Sequence, residues 1–105
     1  MIHHLVLFKL KPEVDDEKIE WMMRQTRILL LKIPEVLNIK CGKPVAPNVP
    51  WPFFVSVDVE SLEKLAVYRD APNHAKFLEE VIDPHTTERI AIDYEMDPGR
   101  DVRYS

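Results

Sequence analysis

The sequence predicts an α+β domain in which four antiparallel strands carry helices on one face. Three observations lead there. Four short stretches alternate with a period of two, the signature of a pleated strand, and two longer stretches carry apolar residues at helical spacing. These stretches follow one another as strand, helix, strand, strand, helix, strand. The third observation is that the best strands are apolar on both sides, which one layer of helices cannot cover. With 105 residues there is room for a single core, so residues 1–96 are read as one domain and 97–105 as a polar tail.

The first strand spans Ile2 to Leu10. His4, Val6 and Phe8 share one side, and His3, Leu5 and Leu7 the other, because side chains alternate across a sheet. Lys11-Pro12-Glu13 breaks it. Asp15 or Asp16 then caps a helix and complements its positive N-terminal end. That helix runs to about Lys32, with Ile19, Met22, Met23, Thr26, Leu29, Leu30 and Ile33 on one stripe, and Pro34 ends it. Val36 to Cys41 alternates Leu37, Ile39 and Cys41 with Asn38 and Lys40. Three prolines between Gly42 and Trp51 mark a loop. Phe53 to Val59 is the clearest strand, with Phe53, Val55, Val57 and Val59 on one face and Phe54, Ser56 and Asp58 on the other.

Ser61 caps a helix carrying Leu62, Leu65 and Tyr68. Pro72 interrupts it and opens a second segment, since proline is tolerated in a first helical turn. There His74, Phe77, Leu78, Val81 and Ile82 form one stripe, which Asp83-Pro84 begins to close. The last strand, Arg89 to Met96, sets Ile90, Ile92, Tyr94 and Met96 against Arg89, Ala91, Asp93 and Glu95.

With right-handed crossovers this order gives the split-βαβ, ferredoxin-like βαββαβ arrangement, with the first and third strands central. If the helices cover His4, Phe8 and Phe53, then Leu5, Leu7 and Phe54 remain on the open face. An exposed apolar sheet face marks an interaction surface, and two-fold self-pairing is the commonest way to cover one. Two sheets packed face to face make a dimeric α/β barrel, so Leu5, Leu7 and Phe54 are the expected interface.

Composition narrows the function. Fourteen basic and eighteen acidic residues give a formal charge of −4, which leaves no basic footprint for nucleic acid or an anionic membrane. The longest apolar run, Ile28 to Leu31, is far too short to span a bilayer. No secretory leader pattern opens the chain, and the single Cys41 cannot form an internal disulfide. A cytoplasmic location is expected. Cys41 reads as a small hydrophobe in a strand rather than a reactive thiol.

The chain resembles the stress-responsive A/B barrel, or Dabb, domain family of dimeric α+β barrels. The resemblance covers nearly all of it and rests on the opening IHHLVLFKLKP, the IPEV after the first helix, the block FFVSVDVESLEKLAVYRDAPNHAKF and the closing IAIDYEM. It implies a homodimer with a cavity between the sheet and the helices of each subunit. A plant branch of the family closes linear polyketides into rings with a tyrosine and a histidine that match Tyr68 and His74, and its first-strand pocket histidine matches His4. A further pocket histidine of that branch falls at Phe53, and its His-Pro-x-His reads Ala71-Pro72-Asn73-His74 here. Related dimeric barrels include cofactor-free monooxygenases and isomerases, so the fold by itself selects no reaction.

His74 and His4 sit on apolar faces that should meet, and Tyr68 lies six residues before His74. An imidazole near neutral pKa removes a proton beside a carbonyl, and a phenol donates to the developing enolate oxygen; such groups contribute about 10² to 10⁴ in rate. His74 and Tyr68 are therefore the candidate catalytic pair. His4, Phe8, Met22, Met23, Phe53 and Leu78 are the candidate substrate-binding residues. The plainer alternative has His74 bonded to a backbone carbonyl and Tyr68 capping the core. No metal or cofactor is expected: HExxH, paired cysteines and glycine-rich phosphate loops are missing, and His3 and His4 face opposite ways. His85 reads as a surface residue of a polar turn, and Trp21 and Trp51 as packing or rim residues. Two functions remain open, a homodimer that binds a small hydrophobic carbonyl or aromatic compound, with cyclase- or isomerase-like acid–base chemistry, and a non-catalytic stress or assembly protein.

Overall fold

The alternation of the first strand sets the architecture. In the computed structural model, which describes residues 1–97, β1 (Ile2–Leu10) lies between β3 (Phe53–Val59) and β4 (Thr86–Glu95), and β2 (Asn38–Gly42) pairs with the far side of β3. All three pairings are antiparallel and the order is β2-β3-β1-β4. The two most apolar strands are thus central, as the ferredoxin-like arrangement requires. Most of the tail expected from Asp97 onward lies outside the described residues.

The helices form where the sequence places their signals. α1 (Asp16–Leu30) is capped by Asp15, whose carboxylate accepts the Lys18 backbone N–H at 2.8 Å, and Asp16 and Glu17 fill its first turn. Its stripe buries Ile19, Met22, Thr26, Leu29 and Leu30 against the sheet. α2 (Leu62–Asp70) is capped by Ser61, which accepts from Lys64 N–H, and buries Leu65 and Tyr68. α3 (Pro72–Phe77) follows at once and runs into a π-helical turn (Leu78–Ile82), where Asp83 N–H reaches back five residues to the Leu78 carbonyl at 2.8 Å.

Between sheet and helices lies one apolar core, with Phe8, Phe53, Val55, Val57, Val59, Met22, Leu30, Leu65, Val81 and Ile82 almost fully buried. The element edges shift from those read in the sequence. β2 begins two residues late because Leu37, 57% exposed, only donates its N–H to the Asp58 carbonyl before pairing starts. β4 begins three residues early, at Thr86: Lys9 pairs with Glu88 in the regular register, and a register shift then sets Leu10 opposite Thr86.

Register also decides which side of β4 looks inward. Leu5 opposes Ile92 and Leu7 opposes Ile90, whereas His4 opposes Asp93, Val6 opposes Ala91 and Phe8 opposes Arg89. The apolar side of β4 therefore joins Leu5, Leu7 and Phe54 on the open face, and its polar side turns toward the helices. Ile90, Ile92 and Tyr94 remain 42%, 37% and 48% exposed. Gly42 lies beneath the Phe54 ring, where a Cβ would come within 2.9 Å of it.

Leu30→Ala should cost about 2–5 kcal/mol, since it empties a fully buried position. The exposed neighbour Leu31→Ala should change stability by less than about 0.5 kcal/mol. Urea unfolding at one protein concentration compares them, and equal losses would mean that α1 does not dock by this stripe.

Candidate functional site

Tyr68 and His74 are six residues apart, and on a continuous helix they would point about 120° apart. The chain avoids this at Ala71-Pro72. Proline disfavours the helical region for the residue before it, and Ala71 is extended, with φ −65° and ψ 139°. The break lets α3 restart at a new angle, with Pro72 in its first turn. The rings of Tyr68 and His74 then meet edge to face, 4.8 Å between centroids. From the sheet, His4 brings its ring to 6.1 Å from Tyr68.

These rings line a cavity of about 250 Å³ between the sheet and helices α2 and α3. Its walls are mainly apolar, with Val6, Phe8, Val55, Phe77, Leu78 and Ala91, and Arg69 and Arg89 complete them. His4, Phe8, Leu78, Tyr68 and His74 thus share one space. Met22 and Phe53 do not reach it: both are fully buried in the core, where Phe53 stacks on Phe8 at 5.8 Å. Met23 packs on the edge of that core, and its backbone carbonyl faces the Cys41 thiol. The methionines sit on α1, whereas the cavity opens beside α2 and α3.

Two groups in the cavity titrate abnormally. Burial lowers the His74 pKa; the Arg69 backbone beside the ring partly offsets this, and His4, Arg89 and Arg69 add to the lowering. His74 is therefore neutral at pH 7 and can accept a proton. Burial raises the Tyr68 phenol far above its ordinary value of about 10, against a small opposing effect of Arg69. Tyr68, only 2% exposed, keeps its O–H proton and acts as a donor.

His4 is oriented by a residue that the sequence reading did not single out. Its Nδ1 lies 2.5 Å from Asp93 Oδ1, and the other oxygen of Asp93 accepts from Arg69 Nη2 at 3.1 Å. A carboxylate only accepts, so Nδ1 carries the proton and the remaining nitrogen, Nε2, is the one left for a ligand. Asp93, Arg69 and Arg89 are the functional residues missing from the sequence-based set. The polar side of β4 and its pairing with β1 are the signal that finds Asp93 and Arg89, and Arg69, on α2, follows from its ion pair with Asp93.

The other polar candidates lie elsewhere. His3 pairs with Asp58 at 2.5 Å on the opposite face of the sheet. His85 is half-buried rather than a surface residue: its ring faces the Val81 carbonyl at 2.7 Å and stacks edge-on against Trp21. Trp51 lies under the Lys9 ammonium at 5.1 Å. Among the described residues no group of three or more His, Cys, Asp or Glu is placed to hold a metal ion, and no helix is long and apolar enough to cross a membrane.

Fold and cavity together define a ferredoxin-like α+β protein with a pocket under its helices. The family model of the stress-responsive A/B barrel domain matches residues 2–96, and the chain belongs to that Dabb family. It is similar to a dimeric ferredoxin-like protein of unknown function from Thermobifida fusca, with 25% identity, 90% of each chain covered and a TM-score of 0.80. A Dabb family protein from Mesorhizobium loti is 22% identical over 92% of this chain and 97% of its own, at TM-score 0.78. The hydroxynitrile lyase of Passiflora edulis shares the fold at TM-score 0.77 and 16% identity, with 95% and 96% of the two chains covered. No curated protein is a match to the sequence.

The shifts give pH predictions with definite signs. Because folding lowers the His74 pKa, the unfolded chain binds more protons near the ordinary histidine value of about 6.5. Stability should therefore fall as pH drops through that value, and His74→Asn should flatten this part of the curve. Because folding raises the Tyr68 pKa, stability should fall again as pH rises above about 10, and Tyr68→Phe should remove that loss. Chemical denaturation between pH 5 and 11 reads both. A curve that steepens in the opposite direction at either end contradicts the assignments.

Proposed function

We propose that the protein is a homodimer whose subunits each bind a small hydrophobic carbonyl or aromatic compound and act on it by cofactor-free acid–base chemistry. The observation that carries this reading is the meeting of a protonated phenol, a neutral imidazole and an oriented second imidazole in one apolar cavity. His74 takes a proton from the carbon beside the carbonyl. The freed electron pair forms the enolate, whose oxygen accepts a hydrogen bond from Tyr68. His4, fixed by Asp93, orients the substrate through Nε2. In an isomerisation His74 then returns its proton to a carbon of the enolate; in a ring closure the enolate carbon instead attacks a second carbonyl of the substrate, and the proton goes to the alkoxide oxygen that forms.

The dimer reading rests on the open face. Leu5, Leu7, Phe54, Ile90, Ile92 and Tyr94 form an apolar surface, and the described residues contain no element to cover it. The similar protein from Thermobifida fusca is described as dimeric, which supports face-to-face pairing into a barrel. A non-catalytic assembly role is favoured by this same face, and the experiments below separate the two. A cytoplasmic location accords with the single unpaired Cys41.

Light scattering should give twice the monomer mass at micromolar concentration, and Leu7→Asp with Ile92→Asp should yield a monomer or an unfolded chain. A parent protein that runs as a monomer contradicts the dimer. For the chemistry, the readout is exchange of α-hydrogens of small aryl ketones in D₂O, followed by NMR. The wild-type protein should accelerate exchange, and His74→Ala should lose about 10² to 10⁴ of that acceleration. Tyr68→Phe should lose part of it. Exchange no faster than in buffer, or unaffected by His74→Ala, leaves the dimer as the function.

A further inference from the structure

The cavity is apolar except at one side, where its charges are unevenly paired. Arg69 is held by Asp93 at 3.1 Å, and Asp93 is shared with His4. Arg89 lines the same cavity from β4, opposite Phe8, and forms no ion pair among the described residues. Its neighbour Glu88 points to the other face and is engaged by Lys9 at 3.1 Å. Asp83 and Glu88 share a second hollow with Arg89, and neither forms an ion pair with it. The one carboxylate here, Asp93, is already shared by Arg69 and His4, which leaves the Arg89 guanidinium without an anionic partner among the described residues, at the edge of a mainly apolar space.

We propose that the cavity selects ligands with an apolar body and a single carboxylate head, and that Arg89 anchors that head. This deepens the small-molecule reading of the site and rests on it. A planar guanidinium pairs a carboxylate through two parallel N–H donors, and such charge-assisted bonds are strong where water is partly excluded. One unpaired cation matches a monoanion. A phosphate dianion would need further donors, and α3 with its six residues offers no helix-end site for one. The position of the charge also bears on the chemistry. Arg89 and Arg69 both push the His74 pKa down. A carboxylate bound between them offsets that push, so an acidic ligand makes His74 a stronger base as it arrives.

The test uses the whole protein with two matched probes, 4-phenylbutyrate and its neutral amide, 4-phenylbutyramide, in low salt. Calorimetry measures affinity, and shifts of the Tyr68 and His74 backbone resonances report whether the probe enters the cavity. The acid should bind about tenfold or more tightly than the amide, and added salt should erode that preference. Arg89→Gln should bring the acid down to the level of the amide, and Arg89→Lys should restore part of the difference. Unaltered circular dichroism controls for folding of these variants. The His74 titration should move upward when the acid binds and stay in place with the amide. Equal binding of both probes, with both shifting Tyr68 and His74, overturns the carboxylate preference and leaves the cavity reading intact. If neither probe shifts those resonances at millimolar concentration, the cavity reading fails and this inference falls with it.

Discussion

The register of β1 between its two neighbours is the constraint on which the rest of the molecule depends. A shift of one residue in either pairing exchanges the two faces of the sheet. In the observed register His4 lies beside Asp93, and Phe8 lies beside both Phe53 and Arg89. That alignment supplies the inner face with an apolar floor, an oriented imidazole and a cation. The same alignment puts Leu5, Leu7, Ile90 and Ile92 together on the outer face. Core, cavity and open surface thus follow from one set of backbone hydrogen bonds rather than from three separate solutions.

A second constraint is local. Proline at position 72 and the extended Ala71 turn one potential helix into two, and only then can Tyr68 and His74 share a cavity wall. The π-helical turn that follows bulges the chain and brings Leu78 to the same wall while Val81 and Ile82 stay in the core. Irregular backbone is thus concentrated beside the polar side chains. The regular helix α1, by contrast, contributes its methionines to packing alone.

Much of the fold was legible in the chain because its signals are short-range. Caps at Asp15 and Ser61, the break at Pro72, and period-two runs in β1 and β3 depend on neighbouring residues, and they reappear in the structure, whereas α1 ends at Leu30, earlier than the Lys32 expected ahead of Pro34. The open face was legible for the same reason, through Leu5, Leu7 and Phe54. The site was read less fully. Alternation shows that Ile90 and Asp93 lie on opposite sides of β4, but not which side faces the helices; that depends on long-range register. An apolar row is naturally assigned to the core, and in β4 that assignment fails because the sheet has two apolar destinations. Asp93 and Arg89 were missed for this reason, and Arg69, on α2, because only its ion pair with Asp93 ties it to the cavity. Phe53 has the right residue type and the right face but is buried in the core, and Met22 sits on α1, away from the cavity.

Neighbouring positions along β1 and β4 face different tasks, and this has a consequence for how such a chain can diversify. Alternate positions, such as Val6, Arg89 and Ala91, can be exchanged to reshape the cavity without touching the side chains that cover the other face. The intervening positions can be exchanged without entering the cavity. Selectivity and assembly therefore vary as nearly separable traits written on the same strands. A library confined to the even positions of β1 and the odd positions of β4 would explore new ligands while leaving the outer surface unaltered.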